Sequence, residues 1–168
     1  MTAFPLAEWR DFYVMVGTAA GVIVGATFVV ASLASGLEKR EVGMRGFITP
    51  TAVHLGSVLV GSALLAVPTL TPLFFAIILG AGGIAGALYG VKVAVRIRKM
   101  DLDLSDRTFY MALPILGYGA MIAAAAMTFR HVGPAFETLA ASYVLLLIVG
   151  MRNAWDMANF MITRQPEK

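Results

Sequence analysis

Four polar side chains near the C-terminus lie within an apolar run that begins near residue 139, and their spacing could support chemistry. Arg152, Asp156 and Asn159 are spaced at i, i+4 and i+7, so they share one face of a helix. Asn153 lies about 100° further around that helix. Because a charge in hydrocarbon costs roughly 2.5–3.5 kcal/mol on insertion scales, this face must contact protein or water. The pattern therefore predicts a polar site inside a membrane protein.

His54 is the second group that could do chemistry, because it is the only histidine predicted to lie within the membrane. With Thr51, Ser57 and Gly61 it forms a small polar face near the cytoplasmic end of the second predicted helix. The second and fifth helices run in opposite directions, so we expect His54 and Asp156 to lie at similar depth and to pair. Such a pair favours a proton-linked or ion-selective site. The alternative is an interhelical hydrogen bond that only stabilises the bundle.

Arg152 has few acidic side chains within its predicted reach. Glu8, Asp11 and Glu137 are all expected on the opposite side of the membrane. We therefore expect Arg152 to pair with Asp156 one turn along the same helix, although this order of charges is the less favourable one. The charges of such a pair cancel, so the pair would stabilise the fold and would have no part in transport.

Other kinds of site have no support in the sequence. The chain has no cysteine, which excludes disulfides and thiolate metal sites. His131 is predicted in a loop far from His54, so the two cannot share a haem. Residues 101–106 lack the glycine and the terminal glutamate of a calcium loop. Since no hydrolase, zinc-protease or nucleotide-binding motif is present, we expect no metal, no cofactor and no catalytic residue.

The composition places these groups in a membrane. The 168-residue chain is 59% hydrophobic and only 14% charged, whereas a soluble domain carries about 25% charged residues. Each of five apolar segments is long enough to cross about 30 Å of hydrocarbon. The segments are approximately 12–35, 49–67, 72–95, 108–129 and 137–162. We therefore expect one all-α domain, residues 1–168, that is a bundle of five transmembrane helices.

Local signals predict where several of these helices begin. Asp11 is the predicted N-cap of the first helix, and Ser105 or Asp106 that of the fourth. Thr49-Pro50 and Thr71-Pro72 each place a capping threonine before a proline at the first helical position.

Pro114 lies inside the fourth predicted helix. It cannot donate a backbone hydrogen bond, so the carbonyl near Tyr110 is left free and a kink is expected there. A static kink and a hinge are both compatible with this pattern.

Basic residues are distributed unequally between the two predicted sides of the membrane. Ten lysines and arginines fall on the side of the C-terminus, whereas only Arg10 and Arg130 fall on the other side. The positive-inside rule then predicts an outer N-terminus and a cytoplasmic C-terminus. Because the basic residues cluster in particular loops, they are a signal of topology, and the net charge of +3 does not indicate nucleic-acid binding.

Glycines recur at every fourth position in the first and third predicted helices, as in a glycine zipper. These residues are Gly17, Gly21 and Gly25, and Gly82, Gly86 and Gly90. Small residues at this spacing let helix backbones approach closely. The pattern predicts either an interface between copies of the chain or helix packing within one copy.

Residues 12–21 (FYVMVGTAAG) and 152–156 (RNAWD) resemble small bacterial inner-membrane proteins of five helices to which no activity is assigned. The resemblance covers the first and last helices. It implies a bacterial source and a multi-pass inner-membrane location, and it carries over no functional residue.

Two hypotheses about function lead, and a membrane enzyme is a third. The first is a small homo-oligomeric channel or transporter protomer in which His54 and the face of Arg152, Asp156 and Asn159 line or gate a polar route. The alternative is a non-catalytic accessory subunit that packs against a larger membrane complex. Membrane lipids are expected partners in both cases.

Overall fold

The computed structural model describes residues 6–34, 41–98, 103–130 and 133–163, and these residues form five helices. None of the described residues lies in a strand, which confirms the predicted all-α class. The helices are α1 (Leu6–Ala34), α2 (Glu41–Leu65), α3 (Pro72–Ile97), α4 (Leu104–Phe129) and α5 (Ala135–Thr163).

Four of the helices contain apolar stretches that are long enough to cross a membrane. These stretches are Leu6–Ser32, Pro72–Ile97, Leu104–Phe129 and Ala135–Asn159. The apolar part of α2, Thr49–Leu65, is shorter and extends for about 25 Å at 1.5 Å per residue. The helices thus indicate a multi-pass membrane protein, with four long apolar helices and one shorter one.

α5 lies at the centre of the bundle, where it packs against α1, α2 and α4. α3 packs mainly on α4 and touches α2 only slightly, although α2 and α3 are joined by a short turn. The core consists of apolar and tyrosine side chains from all five helices, among them Tyr13, Val58, Leu79, Tyr118, Leu139, Tyr143 and Leu146. At one end of the bundle, the Tyr13 hydroxyl on α1 donates to the Phe136 carbonyl on α5 at 2.7 Å.

One predicted helix start is confirmed. Thr71 caps α3, because its side-chain oxygen accepts a hydrogen bond from the Phe74 amide at 3.3 Å and Pro72 occupies the first turn. For α4 the cap is Asp103, whose carboxylate accepts from the Leu104 amide at 2.8 Å. The prediction of Ser105 or Asp106 as that cap was therefore wrong by two or three residues.

The two other predicted starts were also wrong, because both helices begin earlier. α1 starts at Leu6, so Asp11 lies inside it. Leu6 and Trp9 pack against the core, and this packing extends the helix by more than a turn before Asp11. α2 starts at Glu41, so Pro50 lies inside that helix. Membrane helices tolerate proline when their neighbours satisfy the freed backbone groups.

A π-helical turn lies immediately before Pro114, in the part of α4 where a kink was predicted. Residues Thr108–Ala112 adopt this wider turn, and the Leu113 amide bonds to the Thr108 carbonyl five residues back. Because Pro114 has no amide hydrogen, it cannot continue the ordinary ladder to Tyr110. The extra residue in the turn rotates the side chains of the first part of α4 about the helix axis, relative to the side chains of the remainder.

The recurring glycines make their close contacts inside one copy of the chain. A β carbon at Gly17 would lie 2.6 Å from the Ser62 β carbon on α2, and one at Gly86 would overlap the Tyr118 ring on α4. These two positions therefore require glycine for packing within the bundle.

The remaining members of the two triplets are less restricted. A β carbon at Gly82, Gly90 or Gly21 would meet a flexible side chain at 3.1, 3.4 or 3.6 Å. At Gly25 nothing lies within 4 Å. An interface between copies is therefore not needed to explain the tightest glycines, Gly17 and Gly86.

Candidate functional site

Arg152 and Asp156 form the ion pair expected from their spacing on α5. The Arg152 Nε donates to the two carboxylate oxygens of Asp156 at 3.1 and 3.3 Å. The side chain of Arg152 is 34% exposed and that of Asp156 is 33% exposed. The pair is therefore at the edge of the bundle and not in its dry interior. Asn159 lies further along α5 and is exposed.

The start of α4 supplies three further contacts to the same guanidinium. The Arg152 Nη1 donates to the Ser105 hydroxyl at 3.3 Å, and its Nη2 lies 4.0 Å from an Asp106 carboxylate oxygen. The ring of Phe109 lies beneath the guanidinium, with its centroid 4.6 Å from the carbon of that group. Arg152 thus joins α5 to α4 and has a carboxylate on each helix.

Asp106 was missed by sequence reasoning, which considered it only as a helix cap. The predicted topology already placed the end of α5 and the start of α4 on the same side of the membrane. That signal could have identified Asp106 as a partner of Arg152.

His54 contacts Tyr118 and not Asp156, so the predicted pairing across α2 and α5 was wrong. The His54 Nδ1 lies 3.0 Å from the Tyr118 hydroxyl, and that hydroxyl lies 3.2 Å from the Ser57 hydroxyl. His54 is only 2% exposed. Asp156 is held by Arg152 at the edge of the bundle, whereas His54 faces α4 in its interior. The side chains of His54, Tyr118 and Ser57 form a continuous hydrogen-bonded cluster, which we call the His54 cluster.

Asn153 is the one member of the predicted site on α5 that lies fully inside the bundle. Its side chain is 0% exposed, and neither its amide nitrogen nor its oxygen has a hydrogen-bond partner among the described residues. Gly150 packs against Leu55, so the antiparallel register of α2 and α5 places Asn153 close to the level of Thr51. A buried amide with no partner typically costs about 1–3 kcal/mol, which makes this position unusual.

Two more buried hydroxyls lack partners within the described part of the chain. They belong to Tyr143 on α5 and Ser62 on α2, which are 0% and 2% exposed. The Tyr143 hydroxyl lies against Gly61, where a β carbon would overlap it. Tyr143 and Asn153 are separated by ten residues of α5, or about 15 Å along its axis. Sequence reasoning missed Tyr118 and Tyr143, because aromatic residues in an apolar helix look like ordinary core.

The buried polar groups therefore extend along the inner faces of α2, α4 and α5. The set consists of Asn153, Thr51, Tyr143, Ser62 and the His54 cluster, in which His54 and Tyr118 are buried and Ser57 is half-buried. We call this set the polar interior. The described residues contain no group of three or more acidic, histidine or cysteine side chains that could hold a metal ion.

No family model, no curated protein and no solved structure matches the chain. The class that the fold and the site define is a helical multi-pass membrane protein with hydrogen-bonding groups buried between its helices.

Proposed function

We propose that the protein is a small transport protomer that passes protons through the polar interior of its helical bundle. The observation that carries this proposal is the set of unpartnered groups on Asn153, Tyr143 and Ser62. An unused buried hydrogen-bonding group is costly anywhere, and neither lipid nor bulk water is available to satisfy one in a membrane core. Polar groups kept at such a cost inside a membrane are candidates for a transport path.

The chemistry of the polar interior favours protons over larger ions. Its members are hydroxyl, amide and imidazole groups, which carry no fixed charge that would compensate a bound metal ion or anion. Histidine can accept a proton on one ring nitrogen and release it from the other. The contacts of 3.0 and 3.2 Å within the His54 cluster are short enough for hydrogen-bonded transfer between Ser57, Tyr118 and His54. Water bound by Asn153 would extend this path towards the Arg152 end of the bundle.

Arg152 and its two carboxylate neighbours would act at the mouth of the path. The partial exposure of the Arg152–Asp156 pair suits a polar vestibule. Because Arg152 also contacts Ser105 and Asp106, movement of the start of α4 would open or close that vestibule.

The same proposal includes a topology, an assembly and a location. The N-terminus is outside and the C-terminus is cytoplasmic, as the ten-to-two distribution of basic residues indicates. The protein acts as a homo-oligomer in a bacterial inner membrane. Reporters fused to the C-terminus test the topology, since a fusion active only in the periplasm would contradict it.

Proton flux into liposomes tests the function directly. The purified protein is reconstituted with a pH-sensitive dye inside, and a potassium diffusion potential drives protons inward. We expect faster acidification than in empty liposomes, and rates close to the empty control for His54→Phe and Tyr118→Phe. Thr18→Val is the control, because Thr18 is exposed and its hydroxyl bonds only within α1. Equal rates for the parent protein and empty liposomes would contradict the proposal.

A non-catalytic accessory subunit is the second candidate, and a specific observation favours it. Many large apolar side chains of α3 are exposed, including Leu73, Phe74, Ile77, Ile84, Leu88, Val91 and Val95. This face could pack against another membrane protein as readily as against lipid. Purification from native membranes in mild detergent, with one stoichiometric partner and no proton flux, would support this role.

A further inference from the structure

A lateral groove of about 410 Å³ separates α2 from α3. One wall is formed by the α2 residues between Ala52 and Leu65, and the other by the α3 residues between Phe75 and Gly82. Met121 of α4 contributes from behind. The groove opens on the outer surface of the bundle beside Val60, which is 58% exposed. It exists because α3 packs on α4 and hardly touches α2.

The walls of the groove offer almost nothing to a polar ligand. Ser57 is the only polar side chain among the described residues that line it. The Ser57 hydroxyl already donates to the Val53 carbonyl at 2.8 Å and contacts Tyr118. The groove therefore suits a hydrocarbon body, and any polar or charged head must remain outside it.

The size of the groove favours an occupant that is narrower than a helix. A helix with its side chains is about 10–12 Å across, so 20 Å of helix would need several times the available volume. The lining comprises 14 residues, whereas a stable protein interface usually involves about 20–30 residues on each side. The groove by itself is thus too small to enclose a helix of another chain, and it suits a single extended hydrocarbon chain better.

The length of the groove is sufficient for one acyl chain that enters from the leaflet beside the α2–α3 turn. From Ala52 to Leu65 the α2 wall extends for about 20 Å, and half of a typical hydrocarbon layer is about 15 Å thick. The groove begins at the turn between α2 and α3, where Leu70 lines it, and reaches Gly82 near the middle of α3 and Ala52 near the start of the apolar part of α2. A chain that entered from the leaflet beside this turn would lie along it with its head at the membrane surface.

We propose that this groove binds one acyl chain of a membrane phospholipid from the leaflet at the α2–α3 turn. The chain would fill the space between α2 and α3 and complete the packing that the short turn alone does not provide. The groove shares Ser57 with the His54 cluster, but acyl-chain binding depends on the shape and apolar character of the groove and does not require proton transfer.

Photolabelling in nanodiscs tests the site. The probe is a phospholipid that carries a diazirine near the end of one acyl chain, and mass spectrometry locates the adducts. We expect adducts concentrated in 52–57 and 78–82, at the end of the groove far from the α2–α3 turn, and a several-fold loss of labelling in Gly56→Phe. A β carbon at Gly56 meets nothing within 4 Å, so the added ring can occupy the groove. Gly25→Phe is the matched control, because Gly25 has equally open surroundings outside the groove.

Each outcome bears on the proposal. If Gly56→Phe does not fold, Val60→Trp at the exposed rim provides a second way to fill the groove. Equal labelling of the parent, the groove variants and the Gly25 control would overturn the site. So would adducts spread evenly over outward positions such as Leu88 and Val95. Crosslinks from the groove to a second copy of the chain would overturn it in favour of a protein occupant.

Discussion

The ring of Tyr118 on α4 fills the space beside Gly86 on α3 that a β carbon would need. The hydroxyl of the same side chain is 3.0 Å from His54 on α2. A single tyrosine therefore links three helices, and its position depends on the glycine behind it.

Gly86→Ala should destabilise the bundle. The added methyl group overlaps the Tyr118 ring, and overpacking of this kind typically costs about 1–3 kcal/mol. Thermal unfolding in mild detergent measures the effect, with Gly25→Ala as the control because its surroundings are open. Equal melting of the two variants would show that Tyr118 can move aside without cost.

His54 should couple energetically to Tyr118 and not to Asp156. Tyr118→Phe removes a hydrogen-bond partner from a fully buried ring, a loss of about 1–3 kcal/mol. Double-mutant cycles with His54→Leu should therefore give a coupling energy of about 0.5–3 kcal/mol for Tyr118→Phe. For Asp156→Asn, the losses of stability caused by His54→Leu and by Asp156→Asn should be additive to within about 0.5 kcal/mol. Strong coupling between His54 and Asp156 would contradict the observed arrangement.

Asp156→Asn should cost less than the loss of one partner in a deeply buried pair. A buried charge left alone costs about 3–5 kcal/mol, but the Arg152–Asp156 pair is about one third exposed. We expect about 1 kcal/mol or less. Asp106 lies 4.0 Å from the same guanidinium, so adding Asp106→Asn should destabilise the variant further. If the double variant melts like the single one, Asp106 does not compensate for the lost carboxylate.

Asn153→Leu should raise the stability of the protein and lower its proton flux. Leucine has a similar volume and no unpaired polar atoms, so stability should rise by about 1–3 kcal/mol, whereas proton flux should fall. Ser142→Ala is the contrasting variant, because the Ser142 hydroxyl donates to the Gly117 carbonyl at 2.7 Å and its loss should lower stability. Unchanged flux in a more stable Asn153→Leu protein would assign this amide no part in transport.

The sequence was informative wherever the relevant physics is local. The i, i+4 spacing of Arg152 and Asp156 is enough to bring them together on one helix. Thr71-Pro72 determines the start of α3 through contacts within one turn. Four of the five predicted membrane-spanning segments follow from length and hydropathy alone, whereas the apolar part of α2, Thr49–Leu65, is shorter than the predicted segment 49–67.

What the sequence could not provide depends on contacts between helices. The partner of His54 is a tyrosine 64 positions away, and no periodicity identifies that pair. The starts of α1 and α2 were missed for a related reason. Leu6 and Trp9 extend α1 by packing on the core, and Pro50 is accommodated within a continuous helix.

The π turn at Thr108–Ala112 has a consequence for anyone who labels α4 residue by residue. One extra residue in a turn rotates everything before it by about 100° relative to everything after it. A helical wheel drawn through the whole of α4 therefore assigns the wrong face to one of its halves. Because the chain has no native cysteine, thiol-accessibility scanning needs no altered background. Along α4 the scan would record two periodic patterns with a break in phase between them.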